Sequence, residues 1–331
     1  MNINNKNNII WLLLDDRAGN CSQVLGIGKA LKIKYIIKKI RYNKLSRFPN
    51  IILQNTIKHI NANDRKQFIA PWPKIVIGCG RKSAPIGLWI KEQSNNYSKY
   101  IQIMWPSYPY KNIDMIFTPL HDNIKKKYNL KRIETSPNTI DTKLLSESHI
   151  KWKNKLQPLN KPRVALIIGG NTKKYEFDPM HVKLLFKKIN TILNNRGSIM
   201  ITSSRRTSID CINEIKKEIK KLKVKSYFWN TNDKTPNPYF GYLAYSDLVV
   251  VTGDSVSICS EVCATGKPLL IYAPKNITMK KHDFFHKMLI EKGIAKYLEN
   301  FNIKDLKNFN YKPINESYNI ASVIKNKYLL Q

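Results

Sequence analysis

Several things are missing from this 331-residue sequence, and each absence narrows what the chain can be. No apolar run approaches the roughly eighteen residues of a membrane-crossing helix. The opening residues 1–8 are polar and Asn-rich, without the apolar core and small-residue cleavage site of a secretory leader, so none is expected. Cysteine is sparse: Cys21, Cys79, Cys211, Cys259 and Cys263 are an odd set without metal-type pairing, which argues against a disulfide framework. A cytoplasmic setting is the expectation. His282 and His286 stand at helical i, i+4 spacing but lack a third ligand nearby, and Cys259 and Cys263 read as helix packing, so no metal site is expected. The three spaced glycines and acidic partner of a dinucleotide fingerprint are missing, which argues against a nicotinamide-dependent oxidoreductase.

Acidic residues are scarce too. Asp and Glu number 23 against 57 Lys and Arg, a formal net charge of +34. Lysine, asparagine and isoleucine are heavily used everywhere, as a bias in codon use would produce. Arginines are scattered, and no basic-aromatic recognition motif occurs. Nucleic acid is therefore not the expected partner. An anionic membrane surface is one the charge permits, with the chain peripheral on the inner face. Hydrophobic residues make up 42%, enough for two cores, and the length fits two domains.

The most informative stretch is 251–268. It follows an apolar run at 247–251 that reads as a buried strand. Gly253, Asp254 and Ser255 form a small-residue turn, and Ser255 is a good N-cap for a helix to about Thr265. Gly266 stands where a C-cap glycine belongs, with Pro268 after it. A strand, a small turn and a helix start make a site for an anion, because the first helical N–H groups lack internal partners. Glu261 lies further along the same helix, within reach of a ribose hydroxyl. The plain alternative is an ordinary strand–turn–helix unit with Glu261 paired to a lysine.

The same rhythm runs along the chain. Strands are expected at 9–14, 35–40, 74–77, 100–104 and 114–118, with helices at 21–31 and 84–93. Residues 138–162 are polar, Lys-rich and weakly patterned, and read as a linker. Strands at 163–168, 197–201, 224–229 and 269–272 follow, with helices at 179–193, 209–222, 237–245 and 282–290 and a helical tail at about 317–328. Such alternation makes an α/β fold of two Rossmann-like domains facing a cleft, 1–150 and 160–312, with the tail 313–331 returning to the first.

The loops after these strands hold the candidate chemistry. Gly169, Gly170, Asn171 and Thr172 form a glycine loop that a ligand can approach closely. Ser203, Ser204, Arg205, Arg206 and Thr207 offer three hydroxyls and two guanidinium groups suited to phosphate, or else a helix cap with solvated arginines. Asp15 and Asp16 could supply a general base, and Arg17 a clamp; a capping turn is the alternative. Gly19, Asn20, Gly80, Arg81, Lys82, Ser83, His121 and Asp122 complete an acceptor-side set. A direct His121–Asp122 relay is not expected, because neighbours on a strand point to opposite faces.

Taken together, WLLLDDRAGNCSQ at 11–23, IGCGRKSA at 77–84, DMIFTPLHD at 114–122, VALIIGGN at 164–171, TSSRRT at 202–207 and the segment 237–268 resemble the mitochondrial-fission protein family of plants and its alphaproteobacterial relatives, which is often labelled as predicted nucleoside-diphosphate-sugar epimerases. Ser255, Glu261, Gly266 and Pro268 also resemble the donor half of two-domain, GT-B type glycosyltransferases. The resemblance implies a nucleotide-diphosphate sugar as substrate in the second domain, an acceptor in the first, and no tightly bound cofactor. The expected activity is metal-independent sugar transfer to a cell-envelope or membrane-associated acceptor. Asp15 or Asp16 would be the base, and Arg205, Arg206 and the Gly169 loop would meet the leaving diphosphate. The alternative is a non-catalytic peripheral protein of the same fold. An epimerase lacks support from a cofactor fingerprint or a Tyr-x-x-x-Lys pair.

Overall fold

The structure, a computed structural model, describes residues 9–108, 110–172 and 174–330. The polar stretch 1–8 lies outside them. The chain divides into two compact units: one runs to Thr139 and takes back the segment from Asn315, and the other is Ile140–Ile314. The boundary thus falls about ten residues before the expected 150.

In the first unit β1 (Ile10–Leu14), α1 (Ala18–Leu31) and β2 (Tyr35–Lys39) come first. Two short turns of helix, α2 (Asn50–Leu53) and α3 (Ala62–Arg65), precede β3 (Ile75–Cys79), α4 (Ala84–Gln93), β4 (Lys99–Ile103), β5 (Met115–Pro119) and β6 (Leu130–Ile133). The strands pair in parallel in the order β2-β1-β3-β4-β5-β6. β1, β3 and β5 are buried along their whole length, as parallel strands covered on both faces must be. Alternate residues serve opposite layers: Ile10, Leu12 and Leu14 enter one core, Trp11 and Leu13 the other.

The second unit begins with a helix where the sequence pattern suggests a linker. The expected linker holds α5 (Thr142–Leu156), capped by Asp141, whose carboxylate accepts from the Leu144 N–H at 2.6 Å. Its buried stripe is narrow among lysines, which is why periodicity does not betray it. Then follow β7 (Arg163–Ile168), α6 (Pro179–Leu193), β8 (Ser198–Ser203), α7 (Ile209–Lys221), β9 (Lys225–Trp229), α8 (Tyr239–Tyr245), β10 (Leu248–Thr252), α9 (Val256–Thr265), β11 (Leu269–Tyr272), α10 (Lys280–Glu291) and β12 (Ala295–Tyr297). The sheet order is β12-β11-β10-β7-β8-β9, again parallel. Read from β9, this is the doubly wound order in which the chain reverses direction beside the first strand. His282 and His286 on α10 are buried rather than on a solvent face, as are Cys259 and Cys263 on α9.

The tail, α11 (Glu316–Ile324) with one further π-turn to Leu329, packs on α1 of the first unit. Ile320, Ala321, Ile324 and Leu329 join the core made by α1 and β1. Ser317 Oγ donates to Asn138 O at 2.9 Å and accepts from Asn138 N at 3.0 Å. Gly26 makes room for both: a Cβ there would lie 2.2 Å from Asn138 O and 2.6 Å from Ser317 Oγ. Gly26→Ala gains up to about 1 kcal/mol of helix propensity but forces backbone and α11 apart, at roughly 1–3 kcal/mol. Denaturant unfolding should show a net loss of stability and earlier proteolysis at the C-terminal segment; equal or greater stability would contradict this packing.

Candidate functional site

Each sheet has one switch point, where strand order reverses and ligands of α/β proteins bind. In the second unit it lies between β7 and β10, and the loops after β7, β8 and β10 meet there. Gly169 N donates to Thr252 Oγ1 at 2.7 Å. Thr252 Oγ1 donates in turn to Asp254 Oδ1 at 2.6 Å. Asp254 Oδ2 accepts from Gly170 N at 3.3 Å and from Arg206 Nη2 at 2.6 Å. Gly169 O accepts from the hydroxyls of Ser204, at 2.8 Å, and Thr207. A Cβ on Gly169 would sit 2.1 Å from the Asp254 carboxylate, and one on Gly170 would sit 2.2 Å from Arg206 O. The glycines are therefore required by the tie itself, besides any ligand.

The arginines separate. Arg206 is held by Asp254 and also donates to Asn171 O at 3.3 Å, while Arg205 is exposed. Asn171 and Thr172 brace their own turn, accepting from Phe177 N at 2.9 Å and Tyr175 N at 3.0 Å. The Asp254 side chain is only 8% exposed, and both of its oxygens are occupied. It assembles the loops, and a phosphate would be repelled by its charge.

Ser255 caps α9 as the sequence indicates, accepting from Ile258 N at 3.3 Å, and Gly266 ends the helix at φ +72°. Glu261 accepts a 2.5 Å hydrogen bond from the Tyr239 hydroxyl. A tyrosine of α8 is thus one of its partners. Burial first, then the Glu261 charge, raises the Tyr239 pKa well above the ordinary tyrosine value. Gly253 lies so close to α10 that a Cβ would be 2.7 Å from His286 Cε1. Sequence reasoning assigned no role to Thr252 or Tyr239; both stand inside the quoted segment 237–268, but nothing local marks either as a partner of Asp254 or Glu261. Ser203 Oγ, at the end of β8, is buried without a hydrogen-bond partner among the described residues.

In the first unit the switch point lies between β1 and β3. α1 begins at Ala18, so Gly19 and Asn20 occupy its first turn, and neither aspartate caps it. Asp15 accepts from Arg17 N at 3.0 Å and Asn20 Nδ2 at 2.8 Å. Burial nonetheless raises its pKa above the ordinary carboxylate value, outweighing those bonds. Asp16 and Arg17 are exposed. A cavity of about 510 Å³ is lined by Asp15, Asp16, Cys21, Lys39 and Arg41 among others. Asn20 faces Gly80, whose φ of +80° suits glycine and whose Cβ would meet Asn20 Nδ2 at 3.0 Å.

Other expected acceptor groups face inward. Arg81 donates to Phe48 O at 2.7 Å, Ser46 O at 2.8 Å and Asn50 Oδ1 at 3.1 Å. Ser83 is buried, donating to Gly80 O at 2.9 Å and accepting from Tyr100 at 3.3 Å. Both are engaged in holding loops. Lys82 Nζ lies 4.7 Å over the Tyr42 ring, and burial lowers its pKa. The Tyr42 hydroxyl is buried without a hydrogen-bond partner among the described residues; burial and then the Asp15 charge push its pKa well up. His121 and Asp122 occupy a 3-10 turn, Leu120–Asp122, and not a strand, so their side chains approach to 3.9 Å after all. They stand at the end of β5, two strands from β3. No group of three His, Cys, Asp or Glu among the described residues could hold a metal, and no described helix is long and apolar enough to cross a membrane.

Comparison with known proteins gives relatives along most of the chain and solved structures of the same fold. An uncharacterized protein, RP120, of Rickettsia prowazekii is 30% identical over 348 residues, covering 96% of this chain and 97% of its own. The mitochondrial fission protein ELM1 of Arabidopsis thaliana is 29% identical over 297 residues, 83% of this chain and 68% of its own. The UDP-GlcNAc 2-epimerase of Neisseria meningitidis, solved bound to UDP-GlcNAc, superposes with a TM-score of 0.61 at 14% identity, over 98% of this chain and 100% of that one. The α/β architecture is that of GT-B glycosyltransferases and sugar epimerases. The family model described as mitochondrial fission ELM1 matches residues 18–328, and the chain belongs to that family.

Proposed function

We propose that the second unit binds a nucleotide-diphosphate sugar at the β7–β10 switch point, and that the chain transfers the sugar to a hydroxyl acceptor held by the first. The observation that carries this is the three-loop tie around Asp254: it fixes Gly169, Gly170 and Gly253 with no side chains beside the start of α9. A diphosphate there meets the α9 N–H groups and the exposed Arg205, while Arg206, paired with Asp254, offsets the carboxylate that would otherwise repel it. Glu261 lies about 9 Å along the axis from Ser255, at 1.5 Å per residue, which suits a ribose. The Neisseria epimerase of similar fold, solved with UDP-GlcNAc, supports the ligand class. Both aspartates line the cavity; Asp15 is the better base, since it is held by Asn20 and the Arg17 N–H and burial raises its proton affinity.

A second reading, docking on a membrane surface without catalysis, is favoured by a different observation. Leu45, Phe48, Ile51 and Ile52 are 43%, 47%, 59% and 63% exposed. They stand beside exposed Lys44 and Arg47, on a tip that Arg81 and Asn50 pin to the end of β3. Apolar side chains held in water beside cations match an anionic lipid interface.

Glu261→Gln should weaken binding of UDP-N-acetylglucosamine or a related donor about ten- to a hundredfold, roughly 1.5–3 kcal/mol, by calorimetry. Tyr239→Phe removes only an internal partner and should stay within a few fold of wild type. Equal affinity in Glu261→Gln and wild type would refute the ribose assignment. Asp15→Asn should leave donor affinity intact and lower transfer by about 10²–10⁴-fold. Because its carboxyl pKa is raised, activity should fall with decreasing pH through a value above 3.8; an unchanged rate in Asp15→Asn would remove it as base. For the second reading, Ile51→Ser with Ile52→Ser should abolish co-sedimentation with phosphatidylglycerol vesicles, and unaltered sedimentation would eliminate the tip as the docking surface.

A further inference from the structure

The first unit has a second cavity, at the opposite end of its sheet from Asp15 and Gly80. It is about 800 Å³ in volume. Lys99 opens β4 and Asp114 immediately precedes β5, so the cavity lies where the strands begin. The candidate acceptor loops lie where they end. A five-residue strand puts roughly 16 Å between the two ends, at about 3.3 Å per residue.

The charge of this cavity is not that of an ordinary lysine-rich surface. Lys91 is spent on Asp114 at 2.9 Å and on Asn112 O at 3.0 Å. That leaves Lys99, Lys111 and Lys327 facing the one remaining acid, Glu92. Lys327 comes from the far end of the chain, brought here by the π-turn after α11, where Tyr328 donates to Asp114 O at 3.3 Å. The rest of the lining is neutral and rich in hydrogen-bonding groups: the carboxamides of Asn55, Asn95, Asn96 and Asn112. Asn95 and Asn96 are held in consecutive left-handed conformations, at φ +48° and +63°, with Asn96 N bonded to Lys91 O at 2.8 Å. Asparagine tolerates that backbone better than other side chains, and the turn places both residues at the rim.

Three ammonium groups against one carboxylate favour an anion, and four amides recognise hydroxyls. We infer that this cavity is a binding site for a phosphate ester of a polyhydroxylated molecule, a sugar phosphate or a glycerophosphate. Two sources share that chemistry, a soluble metabolite and a phospholipid headgroup. The inference does not depend on the donor site, which lies in the other unit.

The test uses the full chain, calorimetry with glucose 1-phosphate and with glycerol 3-phosphate, and flotation with phosphatidylcholine vesicles with and without phosphatidylglycerol. The double variant Lys111→Gln, Lys327→Gln removes two cations from the cavity. The control Lys304→Gln, Lys307→Gln removes two exposed cations from the second unit. Saturable binding in one arm is expected, weakened at least tenfold by the cavity variant and within twofold of wild type in the control. Binding of the soluble esters alone makes the ligand a metabolite; binding of vesicles alone makes it a headgroup. An equal loss in both variants would assign the effect to bulk charge, and the absence of saturable binding in every arm would equally overturn the site. Unchanged thermal unfolding of the cavity variant separates lost binding from lost folding.

Discussion

The candidate donor site depends on one buried carboxylate. Asp254 draws Thr252, Gly170 and Arg206 to itself and so binds the ends of β10, β7 and the loop after β8 into one body. A carboxylate with so little exposure is tolerable only because every oxygen is met by a donor and one donor is charged. The glycines follow from it. Gly169 has no Cβ because Asp254 stands where the Cβ would be. Removing any one member leaves a buried polar group without its partner, so the loops are expected to hold their shape before a ligand arrives, the condition for tight recognition of a flexible diphosphate.

The first unit is also a six-stranded parallel sheet with one switch point, but with one strand rather than two on the far side of its first strand, and with a different filling. Its switch point brings Asp15, Asn20 and Gly80 together, and a carboxyl whose protonation burial favours takes the place of the anion-binding turn. Arg81 and Ser83 are diverted to structural work. In the proposed reading, the end with Asp15 supplies the base and the end with Asp254 seats the diphosphate, the division of labour that sugar transfer needs. The apolar tip at 45–52 and the lysine-rimmed cavity lie apart from that chemistry in the same unit, and give its surface features that transfer alone would not require.

Much of the fold was legible because parallel strands buried on both faces leave unbroken apolar runs, as at Leu248–Thr252 and Arg163–Ile168. Ser255 and Gly266 were legible because caps are local. The short edge strands Leu130–Ile133 and Ala295–Tyr297 were not, since each carries lysine and few apolar residues. α5 was hidden for a related reason, its one buried stripe lying among solvated lysines. In the site, the loops could be named but not their wiring. Arg206 and Asp254 are 48 positions apart, and Tyr239 and Glu261 are 22 apart; nothing in either neighbourhood announces the other. Nor does standing next to a strand end tell whether a side chain points to solvent, which is why Arg81 and Ser83 read as ligand groups.

The central claim is that the three loops tied by Asp254 receive a nucleotide-diphosphate sugar. Amide hydrogen exchange of the whole protein, with and without saturating UDP-N-acetylglucosamine and a panel of other nucleotide-diphosphate sugars, tests it most directly. Protection confined to 169–172, 204–207 and 253–261 with at least one donor is the predicted result. Unchanged exchange in all three segments with every donor, or protection only elsewhere, would contradict it.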